Sequence, residues 1–249
     1  MGLPPADLEI LAEPDAILTP LLEALGRSDR IQAQAEVPGE GRALKRTVPP
    51  LNGSALAQPS ALDLAQLAAC LGTAAGNHKL SLIRTPLSWP SDRYDFCGPL
   101  DYLGYDGGAG IGSGPGMAVG AALALRHTDY LPVAVLGDGD YLMGVTALWT
   151  AVRYHIPLLV IVANNRSYYN DEVHQQTVAR LRGRPPENKW IGQKIIEPDI
   201  DLAAMGRAQG AEAIGPIGSF SELEAALRIA VDRVSNGHVF VIDAVIKNT

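Results

Sequence analysis

Two clusters of polar residues close otherwise apolar stretches of this chain. Gly137-Asp138-Gly139-Asp140 directly follows the apolar residues 131–136. Asn164-Asn165-Arg166-Ser167-Tyr168-Tyr169-Asn170-Asp171 directly follows residues 157–163. Glycines on both sides of Asp138 let the backbone turn sharply and leave room for a ligand. The N–H groups that open a following helix suit a phosphate. A carboxylate beside such a site makes sense when a divalent cation bridges the two, because magnesium takes oxygen ligands and shares them with phosphates. Asn165 can add a neutral carbonyl oxygen. A Gly-Asp-Gly tripeptide by itself also reads as an ordinary turn. The two clusters together, separated by room for a helix and a returning strand, argue for a built site.

The elements that must position these clusters follow from hydrophobic patterning. Residues 80–83 are a short strand candidate, and 131–136 and 157–163 are continuous apolar runs without alternation, as expected of strands buried on both faces. Residues 238–246 form a further Val/Ile-rich strand. Helices are expected over residues 60–71, with Ser60 as N-cap, and over 116–125, 143–154, 199–209 and 221–235. Strands alternating with helices of this length predict an α/β fold: a doubly wound parallel sheet with helices on both faces. In such sheets ligands bind beyond the C-terminal ends of the strands, which is where both polar clusters fall. Near the N-terminus, Ile17, Leu18, Leu21, Leu22 and Leu25 recur at helical spacing. Pro20 interrupts that pattern, so the helix either spans it or starts there behind Thr19. Residues 27–59, with Pro49-Pro50, Asn52-Gly53 and Pro59, read as a linker or irregular excursion.

Composition narrows the classes further. The chain has 249 residues, 47% of them hydrophobic, so a sizeable core can form. A net charge of −7 argues against a binder of nucleic acid or of an anionic membrane, which needs a basic face. No apolar run approaches the ~20 residues of a membrane-spanning helix. The first residues carry neither the basic nor the apolar part of a secretory signal, and the two cysteines, Cys70 and Cys97, read as free buried thiols. A cytoplasmic location is expected.

Gly137-Asp138-Gly139, followed after a helix and a hydrophobic strand by Asn164-Asn165, resembles the thiamine diphosphate signature. The upstream run Gly107-Gly108-Ala109-Gly110-Ile111-Gly112-Ser113-Gly114-Pro115-Gly116, leading into an Ala-rich helix, resembles the matching glycine loop. The resemblance is to the acetolactate synthase and benzoylformate decarboxylase group. It assigns residues 60–249 as that group's diphosphate-binding domain and residues 1–26 as the tail of its middle domain. It implies thiamine diphosphate and Mg2+ as cofactors. Asp138, the side-chain oxygen of Asn165 and the backbone carbonyl of Ser167 would ligate the magnesium. Gly137 would lie against the diphosphate, and Gly139 and Asp140 would touch it by backbone or side chain. Ile111, beside Gly110, would sit under the cofactor and force its bent shape, and the Ala109 carbonyl would accept a hydrogen bond from the aminopyrimidine. Tyr168, Tyr169 and His174 would line or cover the substrate pocket; a solvated segment is the plain alternative, and core packing is that for Ile111.

The same resemblance implies decarboxylation of a 2-oxo acid and/or joining of the resulting enamine to a carbonyl acceptor. Members of the group activate the cofactor with a glutamate on a separate pyrimidine-binding domain. None of Glu9, Glu13, Glu36 or Glu40 sits in a matching motif, so that domain is expected on another chain or a longer parent. A dimer or tetramer of such units is expected. Rival readings are a thiamine diphosphate-dependent oxidoreductase subunit and a non-catalytic subunit that keeps the fold. A nucleotide-binding dehydrogenase is disfavoured because no G-x-G-x-x-G occurs within residues 107–116.

Overall fold

The computed structural model describes residues 10–26, 62–90, 93–94, 96–104 and 110–247. The chain divides into two units, Met1–Lys45 and Arg46–Thr249. In the first, helix α1 spans Pro14–Gly26 and runs through Pro20. It starts at Pro14 rather than Pro20, and a proline at the first helical position sacrifices no hydrogen bond. The expected linker, residues 27–59, lies outside the described residues.

The second unit carries, in chain order, α2 (Leu64–Ala74), β1 (Lys79–Arg84), α3 (Gly114–Ala124), β2 (Tyr130–Gly137), α4 (Asp138–Gly144), α5 (Ala147–Arg153), β3 (Leu158–Asn164), α6 (Tyr169–Leu181), α7 (Leu202–Ala208), β4 (Glu212–Ile217), α8 (Phe220–Ser235) and β5 (Val239–Val245). The five strands form one sheet in the order β1-β2-β3-β5-β4, every neighbouring pair parallel. Central strand β3 shows why no alternation appears in the sequence. Its Leu159, Ile161 and Ala163 pack with α2 and α8 on one face. Its Leu158, Val160 and Val162 pack with α3, α4, α5 and α7 on the other. Each fully buried leucine or isoleucine contributes about 1.5–3 kcal/mol by leaving water, so both sides of the strand must be apolar. The doubly wound α/β architecture is therefore as expected.

Several elements differ in detail. Helix α2 is capped by Asp63 rather than Ser60, which lies outside the described residues. Asp63 accepts from the Gln66 N–H at 2.8 Å, and Gln66 accepts from the Asp63 N–H at 3.1 Å, a reciprocal capping box. Replacing Asp63 by Ala is expected to remove about 1 kcal/mol, lowering Tm by about 2–4 °C in a thermal melt. The helix expected over residues 143–154 is two helices, and the first begins at Asp138. Gly137 is extended, with φ −68° and ψ 155°, and stands at its N-cap. The division comes just after Gly144, where an added Cβ would lie 2.6 Å from the Gly112 carbonyl oxygen. Strand β4 is not legible in the sequence. It carries Gly215 and Pro216, is only half-buried, and tolerates proline because it is the sheet edge. Helix α6 buries only Glu172 completely and has no apolar stripe. Cys70 is buried as expected, but Cys97 is exposed in the turn before Asp101, where no core element covers it. No helix of the described residues is long and apolar enough to cross a membrane.

Candidate functional site

The C-terminal ends of β1, β2 and β3 open into one cleft of about 570 Å³. Strand β2 ends at Gly137, and Asp138 opens α4 with its carboxylate 3% exposed. One carboxylate oxygen accepts from the Gly139 N–H at 2.8 Å, and the other accepts from the Ser167 N–H at 3.1 Å. Those bonds tie the end of β2 to the loop after β3. Asn165 Oδ1 accepts from the same Ser167 N–H at 3.0 Å.

The preceding asparagine has another task. Asn164 donates to Asp243 of β5 at 2.9 Å and accepts from the Arg166 N–H at 3.1 Å. This anchors the loop to the sheet while Arg166 takes a left-handed φ of 57°, an uncommon state for a residue with a side chain. Residues 193–195 then brace the loop from outside. Tyr168 donates its N–H to the Gln193 carbonyl and Ile195 to that of Arg166, both at 2.9 Å. Buried Glu172 accepts from the Ser167 hydroxyl and pairs with Lys194 at 2.8 Å. Among the described residues, no hydrogen bond uses the Ser167 carbonyl oxygen.

Gly137, Asp138, Gly139, Asp140, Asn165, Ser167, Tyr168, Tyr169 and Ile111 all line this cleft. A Cβ at Gly139 would come 2.1 Å from the Tyr168 ring, so any larger residue there would displace that ring. Burial, and secondarily the Asp138 charge, push the Tyr168 hydroxyl above its ordinary value. Ser88 also lines the cleft, whereas Trp89 packs on the core beneath α2 and α8. His174 is exposed on α6 and is not among the residues that line the cleft, whereas its neighbour Val173 is. Ala109 and Asp92, with Glu9, Glu36 and Glu40, lie outside the described residues. Arg180, Arg182 and Arg184 are exposed, and Lys189 donates to Gln176 on α6 at 2.8 Å.

Asp140 lines the cleft while its side chain is engaged within the chain: it accepts from the N–H groups of Gly112 at 2.6 Å and Gly114 at 3.1 Å and pairs with Arg84 at 2.9 Å. Arg84, at the end of β1, is absent from the sequence-based candidates. Its one signal is a cation closing the apolar residues 80–83.

Burial pushes the Asp138 carboxyl up to about 6, outweighing the backbone N–H groups that favour its charged form. The unfolded chain releases this proton near the ordinary Asp value of about 3.9. Between those values the native state binds more protons, so stability falls as pH rises through that window. In chelator-containing buffer the loss from this group should total about 2 kcal/mol between pH 4 and 7. Asp138→Asn is expected to flatten that part of the profile in urea melts; an unchanged slope would reassign it.

Residues 86–244 match the family described as thiamine pyrophosphate enzyme, C-terminal TPP binding domain, which covers more than half of the chain. The chain belongs to this thiamine pyrophosphate enzyme family. Within the family it is 31% identical over 134 residues to benzoylformate decarboxylase of Pseudomonas aeruginosa, covering 50% of this chain and 22% of that protein. It is 29% identical over 153 residues to the acetolactate synthase isozyme 3 large subunit of Escherichia coli, covering 61% of this chain and 25% of that one. Among solved structures, the thiamine diphosphate-dependent 4-hydroxybenzoylformate decarboxylase of Rhodococcus jostii superimposes with a TM-score of 0.62 at 25% identity, covering 76% of this chain and 33% of that chain. The thiamine pyrophosphate-binding domain thus spans about a quarter of the length of the curated relatives it matches.

Proposed function

We propose that this chain is the magnesium- and diphosphate-binding half of a thiamine diphosphate-dependent enzyme acting on a 2-oxo acid, by decarboxylation and/or transfer to a carbonyl acceptor. The observation that carries the reading is the junction at Ser167, whose N–H bridges the Asp138 carboxylate and the Asn165 side-chain oxygen. Together with the Ser167 carbonyl, these are three hard oxygens from two adjacent strand ends, the donor type magnesium prefers. Among the described residues there is no group of three or more His, Cys, Asp or Glu that could hold a metal. A cation here therefore draws on neutral oxygens and on phosphate, which fits a diphosphate cofactor. An added Cβ at Gly137 would meet nothing within 4 Å, so the turn leaves open space beside the carboxylate.

In this reading Asp138, Asn165 and the Ser167 carbonyl hold magnesium, and the backbone around Gly139 faces the diphosphate. Ile111, 46% exposed in the cleft, supports the cofactor's rings from beside Gly110, and the Ala109 carbonyl orients the aminopyrimidine. Tyr168 and Tyr169 wall the substrate side. Thiamine diphosphate, when bound, supplies the carbon nucleophile and the electron sink for loss of carbon dioxide. The chain's own contribution is to hold the magnesium that would neutralise the diphosphate, orient the rings and exclude water.

Residues 60–249 would form the binding domain, residues 27–59 a linker and residues 1–26 a middle-domain tail. The pyrimidine-binding domain with its activating glutamate would come from another chain or from the remainder of a longer one, in a dimer or tetramer of such units. Coverage of only about a quarter of each curated relative supports that division. Calorimetric titration with thiamine diphosphate tests the reading. Stoichiometric binding that needs Mg2+ and vanishes in chelator is expected; equal affinity with and without the cation overturns it. Turnover of benzoylformate or pyruvate is expected only after the pyrimidine-binding half is supplied.

A further inference from the structure

We propose that Arg84 and Asp140 form a positioning clamp that holds residues 110–114, and with them the Ile111 side chain, in place for the ring half of the cofactor. The proposal rests on the cofactor reading above and adds two residues to it. Both side chains are more than nine-tenths buried and pair at 2.9 Å. The Arg84 guanidinium also donates to the Ser113 hydroxyl at 2.8 Å and to the Gly110 carbonyl at 2.9 Å. The other Asp140 oxygen accepts from the N–H groups of Gly112 and Gly114. The pair thus holds every residue of this stretch except Ile111, which is left projecting into the cleft.

Three of those five residues are glycine, the residue that loses most conformational freedom on ordering, so an external brace is needed. A bulge supplies one half of it. Plain alternation would carry Arg84 to the face of Leu80 and Leu82, which pack with α2 and α8. The register shift between Leu82 and Arg84 lets it reach α4 and the start of α3 instead. A Cβ at Gly114 would lie 2.2 Å from Asp140 Oδ2, so the carboxylate sits directly against the loop.

The diphosphate end of the cleft depends on other residues, Asp138, Asn165 and Ser167. The clamp should therefore affect the two halves of the cofactor unequally. The test compares Arg84→Lys, Asp140→Asn and Ser113→Ala with wild type in the full chain. Ser113→Ala removes one bond to the guanidinium and leaves the buried ion pair intact, which guards against mere unfolding. Each protein is titrated with magnesium thiamine diphosphate and, separately, with magnesium pyrophosphate. Amide hydrogen exchange is followed over residues 110–114.

For Arg84→Lys and Asp140→Asn, thiamine diphosphate should bind about tenfold or more weakly and pyrophosphate within about twofold of wild type, as expected when only preorganisation of the ring site is lost. Ser113→Ala should show the same pattern at a few-fold. Exchange at Gly112 and Gly114 should accelerate in all three. Equal losses for both ligands, or faster exchange with unchanged thiamine diphosphate affinity, would overturn the clamp. Wild type binding neither ligand would instead overturn the cofactor reading, and the clamp with it.

Discussion

Asp138→Ala is expected to weaken magnesium-dependent thiamine diphosphate binding at least about a hundredfold, more than loss of a supporting outer residue costs. Asp138 is the one ionised ligand in the proposed set, and magnesium bound through Asn165 and a backbone carbonyl alone would lack charge compensation from the protein. The substitution also strips the Ser167 N–H of one acceptor and loosens the tie between the ends of β2 and β3. Asp138→Asn separates the effects, because it keeps the side chain's shape and removes its charge. Calorimetry with Mg2+ at pH 7.5 checks both variants. Retained affinity in Asp138→Asn would mean that the cation draws its charge compensation elsewhere.

The largest stability effect is expected from Asp140→Ala. It takes the Asp140 carboxylate away from the buried Arg84 guanidinium and deprives the Gly112 and Gly114 N–H groups of their acceptor. Breaking a buried pair from one side costs about 3–5 kcal/mol. For a domain of this size each kcal/mol moves Tm by about 2–4 °C, so a fall of about 6–20 °C is expected in calorimetric scans. The double variant Arg84→Met/Asp140→Ala should be more stable than Asp140→Ala alone, because it removes the buried guanidinium together with the carboxylate that paired with it. A double variant less stable than the single would show that Arg84 holds the loop without needing its partner.

Strands β1, β2, β3 and β5 were legible because a parallel sheet covered on both faces demands continuous apolar runs such as residues 157–163. Helices α2 and α8 were legible from their apolar spacing and α3 from its run of alanines, and the family resemblance follows from the glycine–aspartate and asparagine pairs that end two of those strands. Strand β4 and helix α6 were hidden for one reason. Neither depends on a continuous apolar pattern: β4 pairs through its backbone at the sheet edge, and α6 buries little beyond Glu172.

At the site, residue types and spacing brought Asp138 and Asn165 forward as candidates, because each stands where an apolar strand ends, whereas Ser167 and Ile111 came forward only through the family resemblance. Which direction a side chain takes was settled by packing. Asp138 and Asp140 are two residues apart on α4 and chemically identical, yet one lies between two strand ends in the cleft and the other closes on Arg84. His174 was a plausible pocket residue by proximity, but it is exposed on α6 and does not line the cleft. Arg84 carried no motif at all: its role comes from a bulge in β1 and from a loop nearly thirty residues away, contacts between distant parts of the chain that only the tertiary structure creates.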